Sequence, residues 1–152
     1  MSSEGQHVSF RPQRTRRVCI AAAAAVLVLF TVIGTALTVG EGVFRKGDQF
    51  AMIGLGVVFA LGIMTVARPR VDAYPEGIRV RNIIGGYELP WGAVRAITFE
   101  RNQPWLSLEL ENDDTVSVLA VQAVDRAYAL AAVQSLRALH GAARAAEPVA
   151  AG

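Results

Sequence analysis

The sequence is poor in the residues that build reactive centres. Its 152 residues include one cysteine, Cys19, and two histidines, His7 and His140, which lie near opposite ends of the chain. A single cysteine excludes an internal disulfide, and histidines so far apart do not have the spacing of a metal site. The sequence does not favour a catalytic cysteine–histidine pair, because Cys19 lies at the edge of an apolar run. The sequence therefore predicts a protein that is not an enzyme and that holds no metal and no cofactor.

Charged residues are also scarce. They make up 18% of the chain, whereas about a quarter of the residues of a soluble domain are charged. The deficit is concentrated in residues 18–39 and 50–67, which contain no charged side chain. This pattern excludes a disordered tail protein and a large multidomain enzyme. It indicates a small membrane protein with one modest domain outside the bilayer.

The two uncharged runs have the lengths of membrane spans. At about 1.5 Å per residue, residues 18–39 extend about 33 Å and residues 50–67 about 27 Å as helices, against a hydrocarbon core of about 30 Å. Backbone groups in lipid must pair within their own segment, which favours helices. We therefore predict two transmembrane helices, 18–39 and 50–67, joined as a hairpin by the polar loop 40–49.

Basic residues near the ends of the spans predict the orientation. The tail 1–17 contains four arginines and one glutamate, and Arg68 and Arg70 follow the second span. The connecting loop has two basic and two acidic residues. Because basic flanks stay inside, we predict a multi-pass protein of the cell inner (plasma) membrane, with a cytoplasmic basic tail, an external loop and both termini cytoplasmic.

A twin-arginine sequence, TRRVCI at residues 15–20, offers an alternative, namely a cleaved export signal. The apolar core of a signal is usually about 7–15 residues long. The run here has 22 residues and is followed by a second span. These features favour a retained anchor over export.

The net charge of +2 divides unevenly along the chain. Residues 1–71 carry 8 basic and 3 acidic side chains, and residues 72–152 carry 7 and 10. The part beyond the spans is therefore slightly acidic, which argues against a nucleic-acid partner.

From residue 68 the pattern changes to alternation of apolar and polar residues, which is typical of half-buried strands. Leu106, Leu108 and Leu110 alternate with polar residues most clearly, and short turns separate the runs. A helix follows, with Asp125 as its N-cap or first-turn acid and an end near Ala143. We predict an α+β domain at 68–143, an antiparallel sheet of about six short strands closed by one C-terminal helix, followed by a disordered tail at 144–152.

Four stretches carry a resemblance to a known family: VDAYPEGIRVRN, LPWGAVRAITFE, PWLSLELENDDTVSVLAVQ and DRAYALAAVQSLRAL. Residues 70–140 resemble the bacterial pleckstrin-homology (PH)-like domain of small actinobacterial membrane proteins. That family pairs two predicted spans with a PH-like half-barrel, so the resemblance implies a membrane α-helical hairpin followed by a PH-like domain.

The resemblance also implies a binding site. Lipid-binding PH domains grip inositol phosphates with basic residues of their first two strands, and Arg70, Arg79 and Arg81 match that arrangement, although the usual lysine is missing. Arginine suits phosphate because it donates two parallel hydrogen bonds. Arg68 extends the cluster toward the bilayer. The alternative is that these arginines only satisfy topology and coat a strand face.

Two tryptophans and an acidic run complete the candidates. Trp91 follows a proline in a turn, where packing into the core is the favoured interpretation. Trp105 lies on the polar side of its strand, so we expect partial exposure and a contact with a partner or the membrane interface. Acidic residues at 109–114 are interpreted as the solvated face of a hairpin instead of a cation site.

These observations favour a non-enzymatic integral membrane protein whose cytoplasmic PH-like domain binds a protein partner or anionic lipid headgroups at the membrane face. The alternative is an accessory or assembly subunit that contacts a larger membrane complex through its transmembrane hairpin.

Overall fold

A computed structural model describes residues 7–38 and 45–147. The chain divides into two compact units. Residues 14–68 form the first, here called the helical unit, and residues up to 13 together with those from 69 onward form the second, here called the β-rich unit.

The helical unit consists of two long apolar helices, α1 (Gln13–Thr38) and α2 (Lys46–Val66). Both are long and apolar enough to cross a membrane, and only 17% and 11% of their most apolar segments are buried. Such exposure is unlike that of a core helix in a soluble protein. Of the expected loop 40–49, residues 40–44 lie outside the described residues. Its last four residues form the first turn of α2, because Asp48 accepts a hydrogen bond from the Arg45 amide at 2.8 Å and caps the helix there.

The two helices pack against each other through small residues. Gly56 and Ala60 are the buried residues of α2, and a Cβ atom at Gly56 would lie 2.7 Å from the Cβ of Phe30. The rings of Phe30 and Phe59 lie 5.6 Å apart. Glycine at position 56 therefore allows the close approach of α2 to the aromatic side chain of α1.

The β-rich unit contains two antiparallel sheets and one long helix, in agreement with the predicted α+β architecture. One sheet has the order β1-β2-β3-β4 and the other the order β5-β6-β7. The strands are β1 (Val8–Phe10), β2 (Arg70–Ala73), β3 (Gly77–Arg81), β4 (Gly86–Pro90), β5 (Val94–Thr98), β6 (Trp105–Leu110) and β7 (Thr115–Gln122), and the C-terminal helix is α3 (Ala127–Ala146).

The expected number of strands was wrong by one, since the described residues contain seven strands and not six. The additional strand, β1, belongs to the basic tail that precedes the hairpin. It pairs with β2 in the register Val8 to Ala73 and Phe10 to Val71. Three residues are too few for an alternation signal, and the partner strand lies some 60 residues farther along the chain, so nothing local marks the pairing.

The position of β1 makes the helical hairpin an insertion into the sheet. The chain forms the first strand, leaves the β-rich unit at Gln13, passes through α1 and α2, and re-enters at Pro69 to form the second strand. The two segments that flank the hairpin are therefore neighbours in one sheet.

The core lies between the two sheets and α3. Val71 pairs with Val80 on the inner face, and both are fully buried. Leu106 and Leu108 come from the second sheet. The helix α3 contributes four buried residues, Ala129, Ala132, Val133 and Leu136, which lie on one face of the helix.

The start of α3 differs from the expectation. Asp125 is not its N-cap: the helix begins at Ala127, its N-cap is Arg126, and Asp125 lies in a preceding 3-10 turn. The Asp125 carboxylate instead accepts a hydrogen bond from the backbone amide of Gln13 at 3.1 Å. It therefore supplies an acceptor to the first residue of α1, where an orphan amide needs one.

The end of α3 also differs, because the helix continues to Ala146, into the expected tail 144–152. Arg144 donates to the carbonyl of Val94 and pairs with Glu111, which holds the last turn on the second sheet. Residues 148–152 lie outside the described residues.

Side chains close two of the sheet edges. On β5, the carbonyl of Val94 lies 2.7 Å from His140 Nε2, and the carbonyl of Ile97 accepts from the Arg137 guanidinium. On β7, the Asn82 side chain donates to the carbonyl of Ser117 at 2.8 Å and accepts from the amide of Leu119 at 3.3 Å. The latter contact also fixes the turn between β3 and β4 against the second sheet.

Candidate functional site

The strand register places three features at one end of the first sheet: the pair Arg70 and Arg81, the turn 82–85, and the two connections to the helical unit. Arg70 is opposite Arg81, and Arg81 is opposite Gly86, at the end of the β3–β4 ribbon that carries the turn 82–85. The chain enters β2 there from Pro69 and leaves β1 there after Phe10. We call this the exit end of the β-rich unit, since both connections to the helical unit leave from it.

Arg70 is half-buried and is tied to its own strand. Its Nε donates to the Asp72 carboxylate at 2.7 Å. Burial alone would raise the pKa of Asp72, but hydrogen bonds from Ser9 and Arg70, and the nearby charges of Arg70 and His7, lower it below its ordinary value. A carboxylate with a lowered pKa stabilises the fold above the pKa of the unfolded chain, about 3.9, and loses that contribution on acidification through the folded value. Asp72 thus joins β1 to β2 as a charged group.

Arg79 lies two rows farther from the exit end than Arg81 and is exposed. It faces Glu88 across the β3–β4 pair and donates to that carboxylate at 2.8 Å. The hydrogen bond and charge of Glu88 raise the pKa of the Arg79 guanidinium above its ordinary value. Asp72 lies opposite on the other side of β3, so Arg79 stands between two carboxylates.

Arg81 is exposed and, in the part of the chain that the structure describes, has no ion-pair partner. Arg68 is exposed too and is the last residue of the helical unit. Of the three arginines expected to act together, the structure places Arg70 and Arg81 opposite each other. It places Arg79 two residues away with a carboxylate of its own.

The two tryptophans have different environments. Trp91 is 2% exposed, and its indole Nε1 donates to the carbonyl of Tyr74 at 2.8 Å, which is a core position. Trp105 is 37% exposed and pairs with Gln122 at the end of the second sheet where β6 begins and β7 ends.

A second group of residues at the exit end was not predicted from the sequence to be part of a site. The corner between β7 and α3, residues 123–126, holds the chain before α1 through Asp125 and Gln13, and the Tyr128 hydroxyl accepts from the Arg11 amide at 3.2 Å. This brings two exposed arginines, Arg11 and Arg126, to the exit end. In the sequence, Arg11 was recognised only as one of the four arginines of the tail 1–17 and not as a site residue. Arg126 lies more than forty residues beyond Arg81, and nothing in the local pattern connects the two.

The surface near these arginines is shallow. A depression of about 290 Å³ beside Arg81 is lined by residues 79–81 and 85–88, which is near the lower limit of about 300 Å³ for small-molecule pockets. No group of three metal-binding side chains occurs among residues 7–38 and 45–147. At the exit end this arrangement suits the recognition of a charged surface more than the enclosure of a small molecule. A larger depression, of about 510 Å³, lies toward the other end of the β3–β4 pair and is lined by residues 74, 76–79 and 88–90.

Comparisons with known proteins agree with this fold. Residues 68–139 match the family model described as bacterial PH domain. Three uncharacterised proteins, one from Mycobacterium bovis and two from strains of Mycobacterium tuberculosis, are each 36% identical to this chain over 134 residues. The matched span covers 87% of this chain and 87% of each relative. No solved structure matches the chain at a significant level.

Proposed function

The chain belongs to the bacterial PH-domain family, and we propose that it is a non-enzymatic membrane protein whose β-rich unit binds anionic lipid headgroups at the cytoplasmic membrane face. The observation that carries this proposal is the register of the first sheet. It puts Arg70 and Arg81 side by side at the end from which both connections to the apolar helices depart.

The same register supports the proposed topology. Because β1 and β2 are neighbours in one sheet, the segments before and after the hairpin belong on one side of the membrane. Cleavage after the first span would remove β1 from the fold, which speaks against an export signal. The arginines that flank both spans favour the cytoplasmic side.

The charges at the exit end suit an anionic surface. Each arginine near such a surface contributes about 1 kcal/mol, within a screening length of about 10 Å. Arg11, Arg81 and Arg126 are exposed there, while Asp72 and Asp125 are buried and the exposed Glu88 pairs with Arg79. The guanidinium groups of Arg11, Arg81 and Arg126 therefore reach solvent, whereas the carboxylates of Asp72 and Asp125 do not.

The test uses the full chain in lipid nanodiscs that contain phosphatidylcholine with a little dansyl-labelled lipid. Energy transfer from the tryptophans to dansyl-phosphatidylglycerol, compared with dansyl-phosphatidylcholine, reports which headgroup gathers around the β-rich unit. We expect Arg81→Gln to lower the preference for phosphatidylglycerol about fivefold, since about 1 kcal/mol is lost. High salt should lower it similarly.

Arg95→Gln is the matched control. It removes the same charge from an exposed strand arginine, but Arg95 pairs with Asp113 and Glu109 on the second sheet, away from the exit end. Arg70→Gln is unsuitable, because it would leave the buried Asp72 carboxylate without its guanidinium. An equal preference in wild type, Arg81→Gln and Arg95→Gln would refute headgroup binding at the exit end.

A second candidate function is that of a subunit of a larger membrane complex, contacted through the hairpin. The hairpin is part of the similarity to the mycobacterial proteins, since a 134-residue match extends well beyond the PH-like region, and in this alternative it is the contact surface. Under this alternative, the full chain extracted in mild detergent retains a membrane complex, and a chain with an unrelated apolar hairpin does not.

A further inference from the structure

We infer that the exit end carries an apolar rim that inserts into the interfacial layer of the bilayer. This inference rests on the proposed membrane function but concerns apolar side chains instead of the arginines. We define the apolar rim as Ile83, Ile84, Trp105, Val124 and Leu130.

One side of the rim is the turn between β3 and β4. Ile83 is 39% exposed and Ile84 is 91% exposed. The Asn82 amide donates to the Gly85 carbonyl at 3.1 Å, and Gly85 adopts a φ of 77°, so the turn is tight. The Asn82 side chain is bound to β7. The two isoleucines therefore lie on a fixed turn, and neither belongs to the hydrophobic core.

The other side of the rim is the corner between β7 and α3. Val124 is 49% exposed and Leu130 is 56% exposed. Trp105 adjoins them, because the Ala123 amide donates to the carbonyl of Pro104 at 2.9 Å. This is the corner whose Asp125 and Tyr128 bind the chain before α1. The two sides of the rim thus flank the points at which the chain leaves and re-enters the β-rich unit.

The rest of the β-rich unit does not share this character. Apart from the rim, Tyr87 is the only large apolar side chain that the described residues of this unit leave exposed, and it lies on β4 one row inward from the turn. The turns at the opposite ends of the sheets, 74–77 and 111–114, are polar and acidic. A soluble domain rarely gathers its exposed apolar side chains at one end unless that end is an interaction site.

Covalent continuity identifies the bilayer as the occupant. Gln13 begins a helix long enough to span a membrane, and Pro69 follows another. When the two helices cross the bilayer, Gln13 and Pro69 lie at its surface. Side chains that are near these two residues in the sequence, or on segments hydrogen-bonded to them, are then held close to the lipid. Tryptophan is also a preferred residue of the membrane interface, and the exposed arginines beside the rim match the headgroup layer.

Site-directed spin labelling of the full chain in nanodiscs tests the inference. Cys19, the only cysteine, is first replaced by alanine. A nitroxide is then attached at Ile84→Cys or, as a control in the acidic turn of the second sheet, at Asn112→Cys. We expect the label at 84 to be relaxed more by oxygen than by a water-soluble nickel chelate, and the label at 112 to show the reverse.

The outcomes separate this inference from the proposed function. Nickel accessibility at 84 equal to that at 112 would overturn insertion. Shielding of 84 from both reagents in native membranes, with open access in nanodiscs, would overturn it in favour of a protein contact. Oxygen-dominated relaxation in discs of phosphatidylcholine alone would support insertion, even if Arg81→Gln leaves the headgroup preference unchanged and the headgroup proposal fails.

Discussion

Replacing Trp91 with alanine is expected to lower the free energy of unfolding of the β-rich unit by about 3–5 kcal/mol. Trp91 is among the largest fully buried side chains, at 2% exposure. Its removal leaves a cavity beside His140, whose ring centre lies 5.6 Å away. It also removes the indole hydrogen bond to the carbonyl of Tyr74, which keeps the amide of Gly77 as a donor at 3.3 Å.

Denaturant unfolding of the full chain in mild detergent measures this change, followed by circular dichroism, which does not depend on either tryptophan. Trp105→Ala is the control: it truncates the same residue type at 37% exposure and should cost about 1 kcal/mol or less. Trp91→Phe should fall between the two, because it keeps most of the volume but not the hydrogen bond. Similar losses for Trp91→Ala and Trp105→Ala would contradict the placement of Trp91 in the core.

Phe10→Asp is expected to lower the free energy of unfolding of the β-rich unit by at least about 3 kcal/mol. This large effect is expected although residue 10 precedes the hairpin in the sequence and the rest of the sheet follows it. Phe10 packs against the core, pairs with Val71, and meets the Tyr128 ring edge-on at 5.8 Å. A carboxylate there cannot stay buried without a partner, so β1 would detach from β2.

Tyr87→Asp is the matched variant, since Tyr87 is an aromatic residue on the opposite edge strand of the same sheet and is 50% exposed. We expect it to cost about 1 kcal/mol or less. Thermal unfolding of both variants, followed by circular dichroism, makes the comparison. If Phe10→Asp unfolds at the wild-type temperature, the tail before the hairpin is not part of the fold.

The sequence predicts well those elements whose signals are local. The hairpin follows from two uncharged runs that match the bilayer, and strands such as β6 follow from alternation over several residues. The helix α3 has a clear apolar stripe. In each case the residues that determine the element are neighbours in the chain, so the pattern is visible without the tertiary structure.

Contacts between distant segments were not predictable in this way. The pairing of β1 with β2, the binding of the Gln13 amide by Asp125, and the closure of the β7 edge by Asn82 each join residues that are far apart in sequence. Asp125 has the residue type and the sequence position of an N-cap for α3. Its carboxylate instead binds the first amide of α1.

The candidate site shows the same division. The resemblance pointed to Arg70, Arg79 and Arg81, but it did not show that Arg70 pairs with Asp72 of its own strand or that Arg79 pairs with Glu88 of the next strand. Glu88 meets Arg79 only because β4 pairs with β3 in one register. The exposed state of Arg81, and the arrival of Arg126 at the exit end, emerge only from the folded arrangement.

The hairpin is inserted into the sheet of the β-rich unit, and we propose that both of its flanks lie on the cytoplasmic side of the membrane. Cysteine labelling in intact cells tests it most directly, with Cys19→Ala as the background and single cysteines at Gly5, Gly47 and Asn112. An impermeant maleimide should label only Gly47→Cys before permeabilisation and all three afterwards. Labelling of one of Gly5→Cys and Asn112→Cys without the other would contradict the claim, because β1 and β2 would then lie on opposite sides of the membrane.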